Sequence, residues 1–258
     1  MSDLIMLTQS GKVWRLHETQ PLAAAVSTGF TALDAALAGG WPVHTVIDLQ
    51  SLTGIGELRL LLPLLLHLQE SGKLLIFINP PALLSSQMLA QAGIQLSQVL
   101  VLEPKNSKEA FWAAEVSLKS GCCSIVLQWQ SLLSVAQLKR LQLCAEQGQA
   151  SHILLRGLQQ QLALPVALSM QLKPALQGLN IHILKRRGGN PRAQITLNWQ
   201  QHHPKLCLPE EQFSQSPTHK VADTTRQSYT AGSAHQNNHQ ASHQTSHQAM
   251  AELFSQTA

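Results

Sequence analysis

An α/β fold with a mainly parallel sheet is predicted by three features of the sequence. Short aliphatic runs at residues 74–78 (LLIFI), 99–102 (VLVL), 124–127 (SIVL) and 152–155 (HILL) alternate with segments of helical periodicity. An earlier run, 43–49 (VHTVIDL), is apolar enough for a strand buried on both faces. It is followed by a short glycine-bearing loop and then by a leucine-rich stretch ending near Leu68. Strand, glycine loop and helix in that order place the loop where a phosphate-binding turn would sit.

The elements follow in order. Residues 1–25 form a preface in which Val13, Trp14 and Leu16 would pack onto the core. Residues 27–37 have a plausible N-cap followed by apolar spacing of three and four, and Gly39, Gly40 and Pro42 end that helix. The leucine-rich helix opens at Glu57 and stops at Gly72 and Lys73. Asn79, Pro80 and Pro81 break the second strand, residues 83–92 read as helix, and Gly93 caps it. Residues 107–120 are amphipathic, with Phe111, Ala114, Val116 and Leu118 near one stripe, and residues 135–147 give a further helix. After Pro165 and Pro174, residues 180–185 and 193–199 read as the arms of a β-hairpin around a basic, glycine-bearing connection. The organisation expected is a preface at 1–25, one sheet domain at 26–200 and a low-complexity tail at 201–258.

Composition bounds the function. The chain of 258 residues holds 12% charged residues and a formal charge of +4, and residues 1–200 carry 15 of the 18 Lys and Arg and 10 of the 14 acids. The positive excess therefore belongs to the sheet domain. Cys122, Cys123, Cys144 and Cys207 form neither a C-x-x-C metal pair nor a secreted disulfide framework, and the first two read as small core residues. The polar, acidic start does not resemble a signal peptide, and Arg59, Pro63 and His67 interrupt the leucine helix before it reaches membrane-spanning length. A reducing cytosol is the expected compartment. From 201 onward Gln, His, Ser, Thr and Ala dominate, a composition that cannot bury enough surface to order itself. His235, His239, His243 and His247 recur every fourth residue; on a helix they would align, but as a low-complexity repeat they need no ligand. Met250, Leu253 and Phe254 restore an apolar face, suited either to a docking peptide or to fraying core-like residues.

The loop lacks the chemistry of a nucleotide site. A working turn reads G-x-x-x-x-G-K-[ST], the Lys reaching the phosphates and the hydroxyl holding Mg²⁺. Counting back from Gly56 across Gly54, Ser51 stands at the first glycine, Glu57 at the Lys and Leu58 at the Ser/Thr. Glu57 suits the positive end of a helix dipole on structural grounds alone. No cofactor or metal is called for by these residues.

Residues 27–66 resemble the start of a RecA-type core. More specifically, residues 13–15 (VWR), 28–37 (TGFTALDAAL), 54–65 (GIGELRLLLPLL) and 184–191 (LKRRGGNP) resemble the ImuA family, tied to translesion DNA synthesis. Residues 60–66, 79–102 and 124–129 also resemble the shorter SulA division inhibitors. The resemblance implies a RecA-like P-loop-type core with a degenerate loop. A RecA-like ATPase places a glutamate after its second strand, where Asn79, Pro80 and Pro81 stand, and a metal-shell aspartate at the position of Gln128. The absence of all four groups implies a pseudo-ATPase with no catalytic residue. Partners implied are an ImuB-like polymerase-related protein, a DnaE-type error-prone polymerase and RecA; the SulA likeness implies FtsZ instead. Lys185, Arg186, Arg187 and Arg192 are the residues expected to meet DNA phosphates or an acidic partner face.

Overall fold

A computed structural model describes residues 25–158, 165–187 and 193–199. Contacts divide the chain into two units, Met1–Pro204 and Lys205–Ala258, and every described residue belongs to the first. The preface, the His repeat, Met250, Leu253 and Phe254 lie outside the described residues, as does Arg192.

The described chain runs β1 (Ala25–Val26), α1 (Thr31–Leu37), β2 (Trp41–Pro42), β3 (Val46–Gln50), α2 (Glu57–Gln69), β4 (Leu74–Ile78), α3 (Ser86–Gln91) and β5 (Val99–Leu102). It continues through α4 (Ser107–Lys119), β6 (Cys123–Trp129), α5 (Val135–Gly148), β7 (Ser151–Arg156), β8 (Leu168–Ala175), β9 (Gly178–Arg186) and β10 (Gln194–Asn198). The main sheet has the order β10-β9-β8-β3-β7-β6-β4-β5, and β8 through β5 are mutually parallel. At the other end of this sheet β9 is antiparallel to both β8 and β10, and β1 and β2 form a separate antiparallel pair. Connections from β3 and β4 lead toward β5, whereas those from β5 and β6 lead back toward β3. Right-handed crossovers then set α2 and α3 on one face and α4 and α5 on the other.

Local chemistry fixes the helix ends. Asn106 Oδ1 accepts from the N–H groups of Lys108 and Glu109 at 3.1 and 2.9 Å to start α4, and Ser134 with Gln137 forms a capping box on α5. Two predicted starts move inward. Ser27 is not the cap of α1; its Oγ donates to Asp34 Oδ2 at 2.6 Å while the Thr28 N–H donates to Oδ1 at 2.7 Å, so the turn serves the carboxylate and the helix begins after Phe30. The helix expected from residue 83 begins at Ser86, because Ser85 takes extended backbone (φ −71, ψ 103) and its side chain accepts from the Met88 N–H as the cap. Within α2 the leucines at 60, 61, 62, 64 and 65 are buried, and Pro63 lies so close to Gly29 (φ +81) that a Cβ there would stand 2.8 Å from it.

The C-terminal part has one strand more than expected. β8 pairs with β3 on one side and β9 on the other, so the hairpin is grafted onto the parallel sheet rather than standing beside it. Pro174 suppressed that reading of the sequence; it sits in the distal, exposed half of β8, where the strand tolerates it.

One face of the sheet buries charge. Asp48 in β3 and Arg156 in β7 are nearly inaccessible. Arg156 donates from Nε to Asp48 Oδ1 at 2.5 Å and from Nη2 to Oδ2 at 3.0 Å, and Ser169 of β8 adds a 2.7 Å bond to Oδ2. Three adjacent strands are thereby tied through one carboxylate. Removing one partner strands the other charge, so Arg156→Met is expected to lower unfolding free energy by about 3–5 kcal/mol. Denaturant unfolding of the variant and of the Asp48→Asn/Arg156→Met pair checks this, with the double variant losing less than the sum of the singles.

Candidate functional site

The carboxyl ends of β3, β4, β6 and β7 converge on a cleft of about 390 Å³, the place where open parallel sheets carry their ligands. Its lining includes Ser51, Glu57, Asn79, Pro81, Gln130 and Arg156. The loop between β3 and α2 forms one wall. Gly54 (φ +81) and Gly56 (φ +105) adopt left-handed backbone, which a glycine takes without steric cost. Trp199, which follows β10, packs where a Cβ on Gly56 would fall 3.0 Å from its ring, and it meets Phe30 edge-on.

Glu57 closes this loop from within. Its Oε1 accepts from the Gly54 N–H and its Oε2 from the Gly56 N–H, both at 3.1 Å, and the residue is buried. The first-turn position suggested only a favourable dipole; the structure adds two charge-assisted bonds to donors that a phosphate oxygen would otherwise take. Ser51 turns its hydroxyl to the Leu52 carbonyl at 3.0 Å, and Leu58 is half-buried with no group to bind a metal. Among the described residues no group of three His, Cys, Asp or Glu is placed to hold a metal ion.

The other two expected positions separate. Pro81 is exposed at the cleft wall, while Asn79, at φ +51, is the residue that leaves β4. Gln128 is fully buried and belongs to a relay that the sequence did not reveal. His152 Nε2 is 2.9 Å from Gln128 Oε1, Gln128 Nε2 donates to Gln130 Oε1 at 2.6 Å, and Gln130 Nε2 donates to the Leu132 carbonyl at 3.1 Å. Because the Gln128 amide already donates to Gln130, its oxygen faces a neutral His152 carrying its proton on Nε2. Complete burial pushes the His152 imidazolium down to about 3. The signal that would have found the relay is the parallel register of β6 and β7, which pairs Val126 with His152 and Gln128 with Leu154 and so sets His152 and Gln128 on one face.

The described members of the basic set are divided between surface and interior. Leu179, Ile181 and Ile183 are the buried positions of β9, and an extra residue at Leu184, between the Met170–Ile183 and Ser169–Lys185 pairs, resets the alternation so that Lys185 and Arg187 are exposed and Arg186 is buried. Arg186 is buried, and its Nη1 lies 3.5 Å from the Ala36 carbonyl near the end of α1. Arg186 therefore packs against α1, on the opposite side from the exposed Lys185 and Arg187.

With the geometry established, the class is an α/β protein with a mostly parallel sheet flanked by helices and a ligand-type cleft at its strand ends. Residues 50–152 match the family model described as cell division inhibitor SulA. Protein RecA of Haemophilus ducreyi is 29% identical over 119 residues, 45% of this chain and 32% of that protein. Protein RecA of Frankia alni is 31% identical over 155 residues, 59% of this chain and 42% of that protein. The chain therefore spans about a third to two fifths of the length of these relatives. SulA from Pseudomonas aeruginosa, a solved structure, is 33% identical, covering 43% of this chain and 96% of that one at a TM-score of 0.37. These matches relate the chain to a RecA/SulA group. No helix among the described residues is long and apolar enough to cross a membrane.

Two outcomes are expected from the site. Glu57→Ala frees the Gly54 and Gly56 amides, and because a bond to a charged group contributes about 1.5–3 kcal/mol, their hydrogen exchange should speed by about tenfold or more. His152 is neutral in the folded chain from neutral pH down to about 3, whereas the unfolded chain takes its proton near 6.5. The folded pKa is lowered, so the stability is whole above 6.5 and is lost as pH falls from there toward 3, at a slope approaching 1.4 kcal/mol per pH unit. Denaturation between pH 6.5 and 5 should show that slope flattened by up to one proton in His152→Gln.

Proposed function

We infer that this chain is a non-catalytic binding protein of the RecA/SulA group that acts in the DNA-damage response. The observation that carries the reading is the Glu57 carboxylate on the loop N–H groups, which puts a fixed negative charge where a nucleotide would need donors. Gln128, engaged with His152 and Gln130, adds no carboxylate for a metal. A scaffold that keeps the sheet, the loop and the cleft but holds none of the hydrolytic groups works by presenting surfaces to partners.

Within that class the chain is ImuA-like: an accessory of error-prone translesion synthesis that joins an ImuB-like polymerase-related protein, a DnaE-type polymerase and RecA. Support comes from the RecA matches and from residues 184–191, which lie beyond the SulA-matched segment. A second reading, a SulA-like inhibitor of cell division that sequesters FtsZ, is favoured by the match over residues 50–152.

Affinity capture from damaged cells with the full chain, read by mass spectrometry, separates the two. An ImuB-like or DnaE-type polymerase is the expected catch. FtsZ in its place, together with lowered FtsZ assembly by the purified protein, would overturn the first reading in favour of the second.

A further inference from the structure

Glu57 lines the cleft together with hydroxyl, amide and apolar side chains. Among the described residues its lining carries two charged side chains, Glu57 and Arg156. Arg156 is neutralised by its two bonds to Asp48, which leaves the Glu57 carboxylate as the net charge of the cleft. A carboxylate offers about four acceptor sites, and the loop N–H groups take two of them. An anion entering here meets repulsion, and a cation meets attraction together with unused acceptor capacity.

The remaining lining supplies amide and hydroxyl groups, from Asn79, Gln130 and Ser107, of the kind that pair with a peptide main chain. Around this polar floor the surface is unusually apolar. Leu132, in the lining, is 73% exposed; Leu52, Leu83 and Leu158, each within two residues of a lining position, are 50%, 94% and 38% exposed. Those four leucines come from the segments that follow β6, β3, β4 and β7, so the parallel topology gathers them at one end of the sheet. Solvent-exposed leucines clustered beside a charged cleft are characteristic of a surface that is covered by another protein.

We propose that this cleft receives an extended segment of a partner protein, with a basic side chain set against Glu57 and flanking aliphatic side chains covering the leucines. The proposal rests on the partner-binding reading above and specifies which surface serves it.

The test is titration of the ¹⁵N-labelled full chain with acetyl-Leu-Arg-Leu-amide and with acetyl-Leu-Glu-Leu-amide. The arginine peptide should move the amide signals of Gly54, Gly56, Asn79 and Gln130. The glutamate peptide should bind at least about tenfold more weakly, since like charges oppose it. Leu132→Ser, a change at an exposed side chain that leaves the core intact, should weaken the arginine peptide. Equal or tighter binding of the glutamate peptide, movement of the same signals by inorganic pyrophosphate, or no movement by the arginine peptide would each overturn the proposal. Affinity capture with Leu132→Ser and Leu158→Ser separates the two levels: a polymerase retained undiminished removes the cleft but leaves the function, whereas no polymerase even with the unaltered chain removes the function, and the peptide titration still decides the cleft.

Discussion

Glu57, in the wall of the cleft, is bonded to two amides of the loop that precedes it, and most of what distinguishes this molecule depends on that contact. A turn of left-handed glycines at the start of a helix concentrates positive potential, and some anion must answer it. Here the anion is covalently part of the chain, one residue beyond the turn. Its effective concentration is therefore fixed, and a free phosphate would have to displace two charge-assisted bonds as well as approach a like charge. Trp199, packed on Gly56, holds the outer side of the same turn. The Gly54 and Gly56 donors of the loop are thereby already used.

Beneath it, the sheet is stabilised by polar contacts that hydrophobic patterning alone would not specify. Asp48, Arg156 and Ser169 join three neighbouring strands through one carboxylate, and His152, Gln128 and Gln130 run from the interior to the cleft wall. Buried groups of this kind cost desolvation and reward only the arrangement in which every partner is in place, so they fix the register of β3, β7, β8 and β6 against slippage. Hydrophobic burial supplies the driving force through the leucines of α2 and the aliphatic strands. The ion pair and the relay decide which parallel alignment results.

Much of this architecture was legible in the residues. The strands at 74–78 and 99–102 were read with their observed ends, and the helix opening at Glu57 was placed at its first residue, because aliphatic runs bounded by glycine and proline leave little choice. β8 carries a clean alternation of apolar and polar residues from Leu168 to Lys173, but Pro174 argued for a break there; its partner β3 lies more than a hundred residues earlier, where no local signal reaches. In the site, the residues standing at the loop and strand-end positions were legible, but the partners of Glu57, Gln128 and Arg186 were not. Each acts on groups that only folding brings near: loop amides, a histidine one strand away, and the end of α1. The run Lys185-Arg186-Arg187 reads as one basic patch, and the bulge at Leu184 that turns its middle member inward has no signature in the sequence.

The measurement that bears most directly on the central claim is equilibrium titration of the full chain with MgATP, followed by a hydrolysis assay with single-stranded DNA present. With Glu57 on the loop amides, neither binding nor turnover is expected. Saturable binding with DNA-stimulated hydrolysis, abolished when Glu57 or Gln128 is changed, would contradict the account.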